Sequence, residues 1–527
     1  MVDSGRKIPR TMSTQHPDNA RVPEWCSLRD VIQGDDEIYE AYYAYSILGC
    51  EEVMWDSEGK DVDIRVVRKL LEKYGEFFRE KVIGEDVFLT YRVPNPRVEE
   101  AERKILVETL TNIIVGYDVA SAFYGRSVTP TFEVILPFTT EARELIWLRN
   151  YYEKAIAGVE KLSLDGSVKV RDWLGEFRPR SIEVIPLIEE WNGLANIDKI
   201  IGDYIEDTKL SYLRVFIARS DPALNYGMIP AVALAKIALS KLKRIQEEKG
   251  LPIYPIIGCG TMPFRGHLSP DNLENFLEEY RGVYTVTIQS ALKYDYDPET
   301  VRIAVERINN ELPRGEAEDI DPDEERILIQ AIARLRDGYQ KVIEKMAPLI
   351  NSVAKYIPPR RARKLHIGLF GYSRSIGRIS LPRAIPFAGA LYSIGIPPEF
   401  IGLKSLNDLS EQELEILEKI YRNLWKDLDK AAVYVSWQNL DVLRDALDKA
   451  AERTGMSREE LKTVLDEIIV DLEYAEENLG IRLGPRNLSH LKYENMANNF
   501  LISYLEGEDE LAKEYLLETA KLRRCIG

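Results

Sequence analysis

Short, β-branched, apolar runs recur along this chain, separated by stretches whose apolar residues follow helical spacing. The runs are EEVMW (51–55), VFLTYR (87–92), FEVILP (132–137), IEVIPLIE (182–189), RVFIARSD (214–221), YPIIGCG (254–260), YTVTIQS (284–290) and LHIGLFG (365–371). Between them, Val62 to Phe78, Val98 to Ile114 and Pro230 to Leu242 have helical periodicity. Strand–helix alternation demands parallel strands joined by right-handed crossovers. Eight such strands predict an α/β fold, a closed (β/α)8 TIM-type barrel with extra helices, its strands within about 51–371. The chain, 1–527, is expected to be one catalytic barrel. An N-terminal segment, 1–30, precedes the strands, and a helical C-terminal region, 382–527, follows them. Capping boxes at Ser410/Glu413 and Ser457/Glu460 mark helix starts in that region. The stretch 298–358, also helical, falls between the last two expected strands.

In such a barrel, functional groups gather at the C-terminal ends of the strands. Trp55-Asp56, Arg92, Glu189 and Asp221 end four of the runs. Arg265 and Lys293 follow the sixth and seventh, and Arg374, Arg378 and Arg383 follow the eighth. Glu189 and Asp221 are hard oxygen donors suited to a divalent cation, and the arginines suit phosphate or carboxylate oxygens. Each residue also has a plainer use. Asp221 before Pro222 fits a helix N-cap, Glu189-Glu190 a helix start, and Arg92 a surface loop charge. His16, one of four histidines, stands in the polar run TMSTQHPDN (11–19), where a simple loop histidine is the bland alternative. Coincidence at five or six strand ends favours the shared site.

A net charge of −17 argues against a nucleic-acid backbone or an anionic membrane surface as partner. Cys26, Cys50, Cys259 and Cys525 are scattered without Cys-x-x-Cys spacing, which fits a reducing, cytoplasmic compartment. No signal peptide is visible, and the most apolar stretch, Ala384 to Ile396, is short and broken by Pro386 and Gly389. Abundant Glu, Lys, Arg and Tyr hint at a thermophile.

The runs TMSTQHPDN, MWDSEGK, RVPNP, EVIPLIE, ARSDPALNYGM, IGCGTMPFRG and LHIGLFGYSRSIGRISLPRAIPF together resemble archaeal-type phosphoenolpyruvate carboxylase, from about Ile8 onward. The resemblance implies a helix-rich (β/α)8 barrel that adds bicarbonate to phosphoenolpyruvate, giving oxaloacetate and phosphate. It implies Mg2+ or Mn2+ as cofactor and a homotetramer. Carried over residue by residue, it implies His16, Arg265 and Arg374 as catalytic, and Glu189 and Asp221 as metal ligands. Substrate binding then falls to Arg92, Arg265, Arg374, Arg378 and Arg383. The first arginine of the glycine-rich loop in the longer carboxylases is Cys259 here, and a lysine after the metal aspartate is Leu224. The ending LRRCIG lacks the Asn-Thr-Gly ending of the longer enzymes, the group of carboxylases that aspartate inhibits. Two rivals share the metal and arginine logic: another metal-dependent barrel acting on phosphoenolpyruvate or a 2-oxo acid, and a non-catalytic anion sensor. The His-Pro element speaks against the first, and a retained base against the second.

Overall fold

The computed structural model describes residues 6–28, 30–364, 366–367, 369–370, 374–376 and 379–527. Eight strands form a closed barrel: β1 (Thr11–Ser13), β2 (Glu52–Asp56), β3 (Phe88–Arg92), β4 (Glu133–Leu136), β5 (Glu183–Ile188), β6 (Leu213–Ala218), β7 (Ile253–Gly258) and β8 (Thr285–Ile288). Every neighbouring pair is parallel, and β1 closes the ring against β8.

The expected barrel is therefore present, but its strands run from 11 to 288 rather than from 51 to 371. Seven of the eight expected runs become β2 to β8. The eighth, LHIGLFG, does not. His366, Ile367, Leu369 and Phe370 lie in turns, and Leu365, Gly368 and Gly371 lie outside the described residues. Its place in the ring is taken by Thr-Met-Ser of the N-terminal run. Only Met12 of β1 joins the apolar barrel interior. The Thr11 hydroxyl donates to Asn309 Oδ1 at 2.7 Å, and Ser13 Oγ accepts from Lys293 at 3.1 Å. A three-residue strand whose polar side chains are satisfied from outside the barrel carries no apolar run to notice. The helical stretch expected between the last two strands accordingly follows β8, as helices Pro298–Glu311 and Pro322–Ala354.

The two-residue period of the strands sorts their side chains. Met12, Met54, Ile135, Ile185, Leu187, Phe216, Ala218 and Ile256 fill the interior. At the N-terminal end of the barrel the filling changes to charge. Arg214 of β6 donates to Glu52 of β2 at 2.7 Å and to Glu133 of β4 at 2.8 Å, and Thr285 of β8 completes a layer drawn from alternate strands. That end is sealed, so the opening lies at the C-terminal ends of the strands.

The crossover between β3 and β4 is the helix Ile105–Tyr124. It is the one described helix long and apolar enough to cross a bilayer, and it buries Leu106, Leu110, Ile113 and Ile114 against the shell of the barrel. Beyond the helix Pro322–Ala354, a hairpin of β9 (Arg374–Ile376) and β10 (Ile379–Leu381) leads into the buried helix Ala384–Ser393. The C-terminal region is helical as expected, and both expected capping boxes are formed.

Candidate active site

An open cavity lies at the C-terminal mouth of the barrel, lined by His16, Glu58, Lys60, Arg92, Glu189, Arg219, Asp221, Arg265, Gln289, Arg363 and Arg383 among others. Most of these are carried by strand ends or by the loops that follow them, for the reason that parallel strands all finish at one face. His16 reaches the mouth because β1 ends at Ser13 and the chain continues over the rim. Thr14 Oγ1 and His16 Nδ1 share a hydrogen bond of 2.7 Å, which fixes the ring and leaves Nε2 for other work. Burial, reinforced by the positive charges of Lys60, Arg92 and Arg265, holds the His16 pKa well below the ordinary histidine value. The imidazole is thus neutral at physiological pH.

Arg265 stands on a single 3-10 turn, Pro263–Arg265, after β7. It is 1% exposed. Its Nη1 donates to Asp18 Oδ2 at 3.0 Å and to the Gly527 carbonyl. Its Nε donates to Ser220 Oγ at 3.0 Å and its Nη2 to Gln289 Oε1 at 2.6 Å. A guanidinium has five N–H donors; these contacts take four and leave one on Nη2. Asp18 is itself fixed, since the Ala291 amide donates to its Oδ1 at 2.7 Å. The turn is held from the C-terminal region, where Glu399 Oε1 accepts from the Phe264 amide at 2.9 Å. Gly266, at φ 114, needs to be glycine, because a Cβ there would stand 2.6 Å from Cys259 Sγ. Cys259 is a packing residue whose thiol burial pushes up to about 12.

Arg92 ends β3 directly across from Asp56 of β2. It forms a bidentate pair, Nε to Oδ1 at 2.7 Å and Nη2 to Oδ2 at 2.8 Å, and reaches Glu58 at 2.8 Å. Lys60 also binds Asp56, and burial lowers its pKa to about 8. Arg92 is therefore a cavity residue rather than a surface loop charge. Lys293 is not a cavity residue. Its ammonium is buried and donates to Ser13 Oγ, the Thr14 carbonyl and Glu40 Oε1 at 3.1, 2.9 and 2.7 Å, which ties the end of β1 to the helix Asp35–Ser46.

Glu189 and Asp221 follow the adjacent strands β5 and β6 and line the same cavity. Glu189 Oε2 accepts from the Phe138 amide at 2.8 Å. The helix after β6 starts at Ser220, with Arg219 in the cap position, so Asp221 is not its N-cap. Two hard carboxylates on one wall fit a divalent cation. Among the described residues no group of three or more His, Cys, Asp or Glu is gathered for a metal. A cation held here would draw most of its shell from water and ligand oxygens, as Mg2+ does. Arg383 lines the cavity from the cap of the helix Ala384–Ser393. Arg374 lies in β9, but its side chain, like all of Arg378, falls outside the described residues.

Motif-based reasoning passed over Asp18, Lys60, Arg219, Gln289 and Arg363. Asp18 and Lys60 lie inside the runs TMSTQHPDN and MWDSEGK, and Gln289 directly follows β8, so their positions are visible in the sequence although their partners are not. Arg363, in PPRRARK, had no local signal.

Comparison with known proteins accords with this geometry. Residues 8–527 match the family model described as "Phosphoenolpyruvate carboxylase". Proteins named phosphoenolpyruvate carboxylase from Metallosphaera sedula and Caldivirga maquilingensis are each 50% identical over 522 residues, covering 99% of this chain and 100% of the relative. One of the same name from Picrophilus torridus is 46% identical over 525 residues, covering 99% of each chain. A barrel whose mouth gathers a neutral histidine, two carboxylates and a set of arginines, with similarity along almost its whole length, belongs to the phosphoenolpyruvate carboxylase family.

Proposed function

We propose that this cavity joins phosphoenolpyruvate to bicarbonate, giving oxaloacetate and phosphate through carboxyphosphate and the enolate of pyruvate. The observation that carries this assignment is the convergence of His16, Arg92, Arg265, Arg383, Glu189 and Asp221 on one barrel mouth from six separate stretches of sequence.

The first step moves the phosphoryl group from the enol oxygen to a bicarbonate oxygen. Negative charge spreads over the migrating group, and fixed cations stabilise it at no reorganisation cost. Arg265 supplies such a cation: four of its donors are locked, so the fifth has a set direction. Arg92 and Arg383 add positive potential at the mouth. Glu189 and Asp221 would hold Mg2+ or Mn2+, which supplies Lewis-acid stabilisation of enolate and phosphoryl oxygens. Roles for Arg374 and Arg378 in gripping phosphate rest on the family resemblance.

In the second step carboxyphosphate loses its carboxyl proton and its bond to phosphate breaks, releasing CO2. The enolate carbon then attacks CO2, and oxaloacetate forms. His16 Nε2 is suited to take that proton, because Nδ1 is engaged by Thr14 and the ring is neutral. Water must be kept from the enolate, or pyruvate forms instead. The burial of Arg265, Gln289 and Lys60 around the cavity supports such exclusion.

In this assignment the enzyme works in the cytoplasm as a homotetramer. Its four cysteines are unpaired, in line with a reducing compartment, and Trp147 and Trp173 are 60% and 71% exposed, apolar area available for subunit contact.

The test is direct. Purified protein is given phosphoenolpyruvate, bicarbonate and Mg2+, with oxaloacetate read through malate dehydrogenase. Phosphate release and oxaloacetate should both require bicarbonate and metal. Phosphate release that ignores bicarbonate would overturn the assignment.

A further inference from the structure

The turn that carries Arg265 ends on a strained residue. His267 has φ 60, in the left-handed region that favours glycine. A side chain held there persists only where its surroundings impose it, and such positions gather at working sites. His267 is 5% exposed, and its backbone is bound on both sides. Its amide donates to the Met262 carbonyl at 3.0 Å, and Asn272 Nδ2 donates to its carbonyl at 3.0 Å. Within the turn, the Gly260 amide donates to the Arg265 carbonyl at 2.8 Å and the Leu268 amide to the Gly260 carbonyl at 2.9 Å. A displacement at His267 is therefore passed on to Arg265.

The side chain of His267 is held from the C-terminal region. Its Nδ1 donates to Asp427 Oδ1 at 2.5 Å, and the Tyr421 hydroxyl donates to Asp427 Oδ2 at 2.6 Å. Asp427, 7% exposed, stands on the helix Leu424–Ala432. The residue before that helix, Asn423, donates its amide to Glu279 Oε2 at 2.8 Å and its Nδ2 to the Asn275 carbonyl at 2.7 Å. Both acceptors lie on Leu273–Glu279, the α-helix that follows the turn and leads to β8. The result is a closed circuit: from the turn to its crossover helix, from there to the C-terminal helix, and back to the turn through one His–Asp bond.

We propose that His267 and Asp427 are positioning residues for Arg265: the bond between them holds the turn, so that the unclaimed donor on Arg265 Nη2 keeps its set direction. The proposal rests on the role assigned to Arg265 above. The bonded donors of Arg265 reach Asp18, Gly527, Ser220 and Gln289, on four separate stretches of chain. Those bonds cannot all persist if the backbone beneath them moves. A misplacement of about 1 Å in a group that serves the transition state costs roughly a hundredfold in rate. Neither His267 nor Asp427 is among the residues lining the cavity, so an effect of either on turnover passes through the turn.

The test is a double-mutant cycle on the full chain, with kcat and KM from the oxaloacetate assay and melting temperature as control. His267→Gly frees the backbone but removes the bond to Asp427. His267→Asn tolerates the left-handed backbone and keeps a donor near the place of Nδ1. His267→Gly should lower kcat by about tenfold to a hundredfold, with a much smaller change in the KM for phosphoenolpyruvate, and His267→Asn should recover most of the loss. Placed on Arg265→Lys, His267→Gly should cost less than about threefold, because the group it positions is already gone. Wild-type kcat in His267→Gly, or a loss that multiplies in full on Arg265→Lys, would overturn the proposal. If His267→Gly does not fold, Asp427→Asn, which keeps the shape of the carboxylate and weakens the bond, goes through the same cycle with the same two overturning outcomes. Should the wild-type protein make no oxaloacetate, the carboxylase assignment fails, and the cycle is read by calorimetry in the Kd for inorganic phosphate. A rise in His267→Gly that is absent on Arg265→Lys then supports the positioning role, and independent effects overturn it.

Discussion

At the scale of single residues, His16 balances two demands. A base must be unprotonated before it can act, yet basic enough to take a proton. Burial and three nearby cations secure the first by lowering its pKa well below 6.5. At pH 6.5, where an ordinary imidazole is half protonated, His16 should therefore remain neutral. An NMR titration with labelled histidine, assigned by comparison with His16→Asn, checks this directly. The sign for stability follows: as pH falls through the ordinary value the unfolded chain takes up a proton that the fold refuses, so acid weakens the fold at this site. The same substitution should split the reaction. Phosphoryl transfer does not need the base, so His16→Asn should still consume phosphoenolpyruvate with bicarbonate but release pyruvate in place of oxaloacetate. Lactate and malate dehydrogenase assays on one sample read both products, and normal oxaloacetate output would return His16 to an ordinary loop residue. Asp221→Asn halves the formal charge of the carboxylate pair, so Mg2+ binding by calorimetry should weaken strongly while the fold persists. Equal Mg2+ affinity would remove Asp221 as a ligand.

At the scale of elements, the turn Pro263–Arg265 shows how a loop becomes a rigid support. Glu399 takes the Phe264 amide, Asp18 and Gly527 take Arg265 Nη1, and Gln289 takes Nη2. These partners lie 135, 247, 262 and 24 residues away in sequence. Arg265→Lys keeps a charge but not the fork, so it breaks most of that set. Loss of one such donor from a closed site costs about 3 kcal/mol in the transition state, roughly a hundredfold in kcat. Steady-state kinetics of the lysine variant, with thermal melting as control, decide this, and normal turnover would show that Arg265 is dispensable. The C-terminal helices follow simpler rules. Ser457 caps Arg458–Glu477 and Glu460 returns the bond. Ser457→Ala should lower stability by about 1 kcal/mol without affecting turnover, seen as a small fall in melting temperature.

At the scale of the whole molecule, the two ends of the barrel are built for different ends. The closed end holds Arg214 between Glu52 and Glu133, all buried. A buried pair is weak evidence of net stabilisation, but removing one member leaves an uncompensated charge. Arg214→Leu should therefore destabilise the fold by about 3–5 kcal/mol, measured by denaturation. The open end keeps its charges exposed to a ligand.

Sequence alone determined most of the architecture, because the alternation of two-residue and helical periods is a local property that survives without tertiary context. It also marked the strand ends where Asp56, Arg92, Glu189 and Asp221 stand, and the capping boxes, which depend on residues three apart. It misplaced one strand. Thr11–Ser13 pairs with β2 and β8 across gaps of about 40 and 275 residues, and its hydroxyls are satisfied by Asn309 and Lys293 rather than by any neighbour in sequence. Compensation of charge was equally invisible. Nothing in the string distinguishes Arg92, bound to Asp56, from Arg363, which has no such partner among the described residues. Periodicity is written in adjacent residues, whereas the partner of a buried charge is decided only when the chain closes.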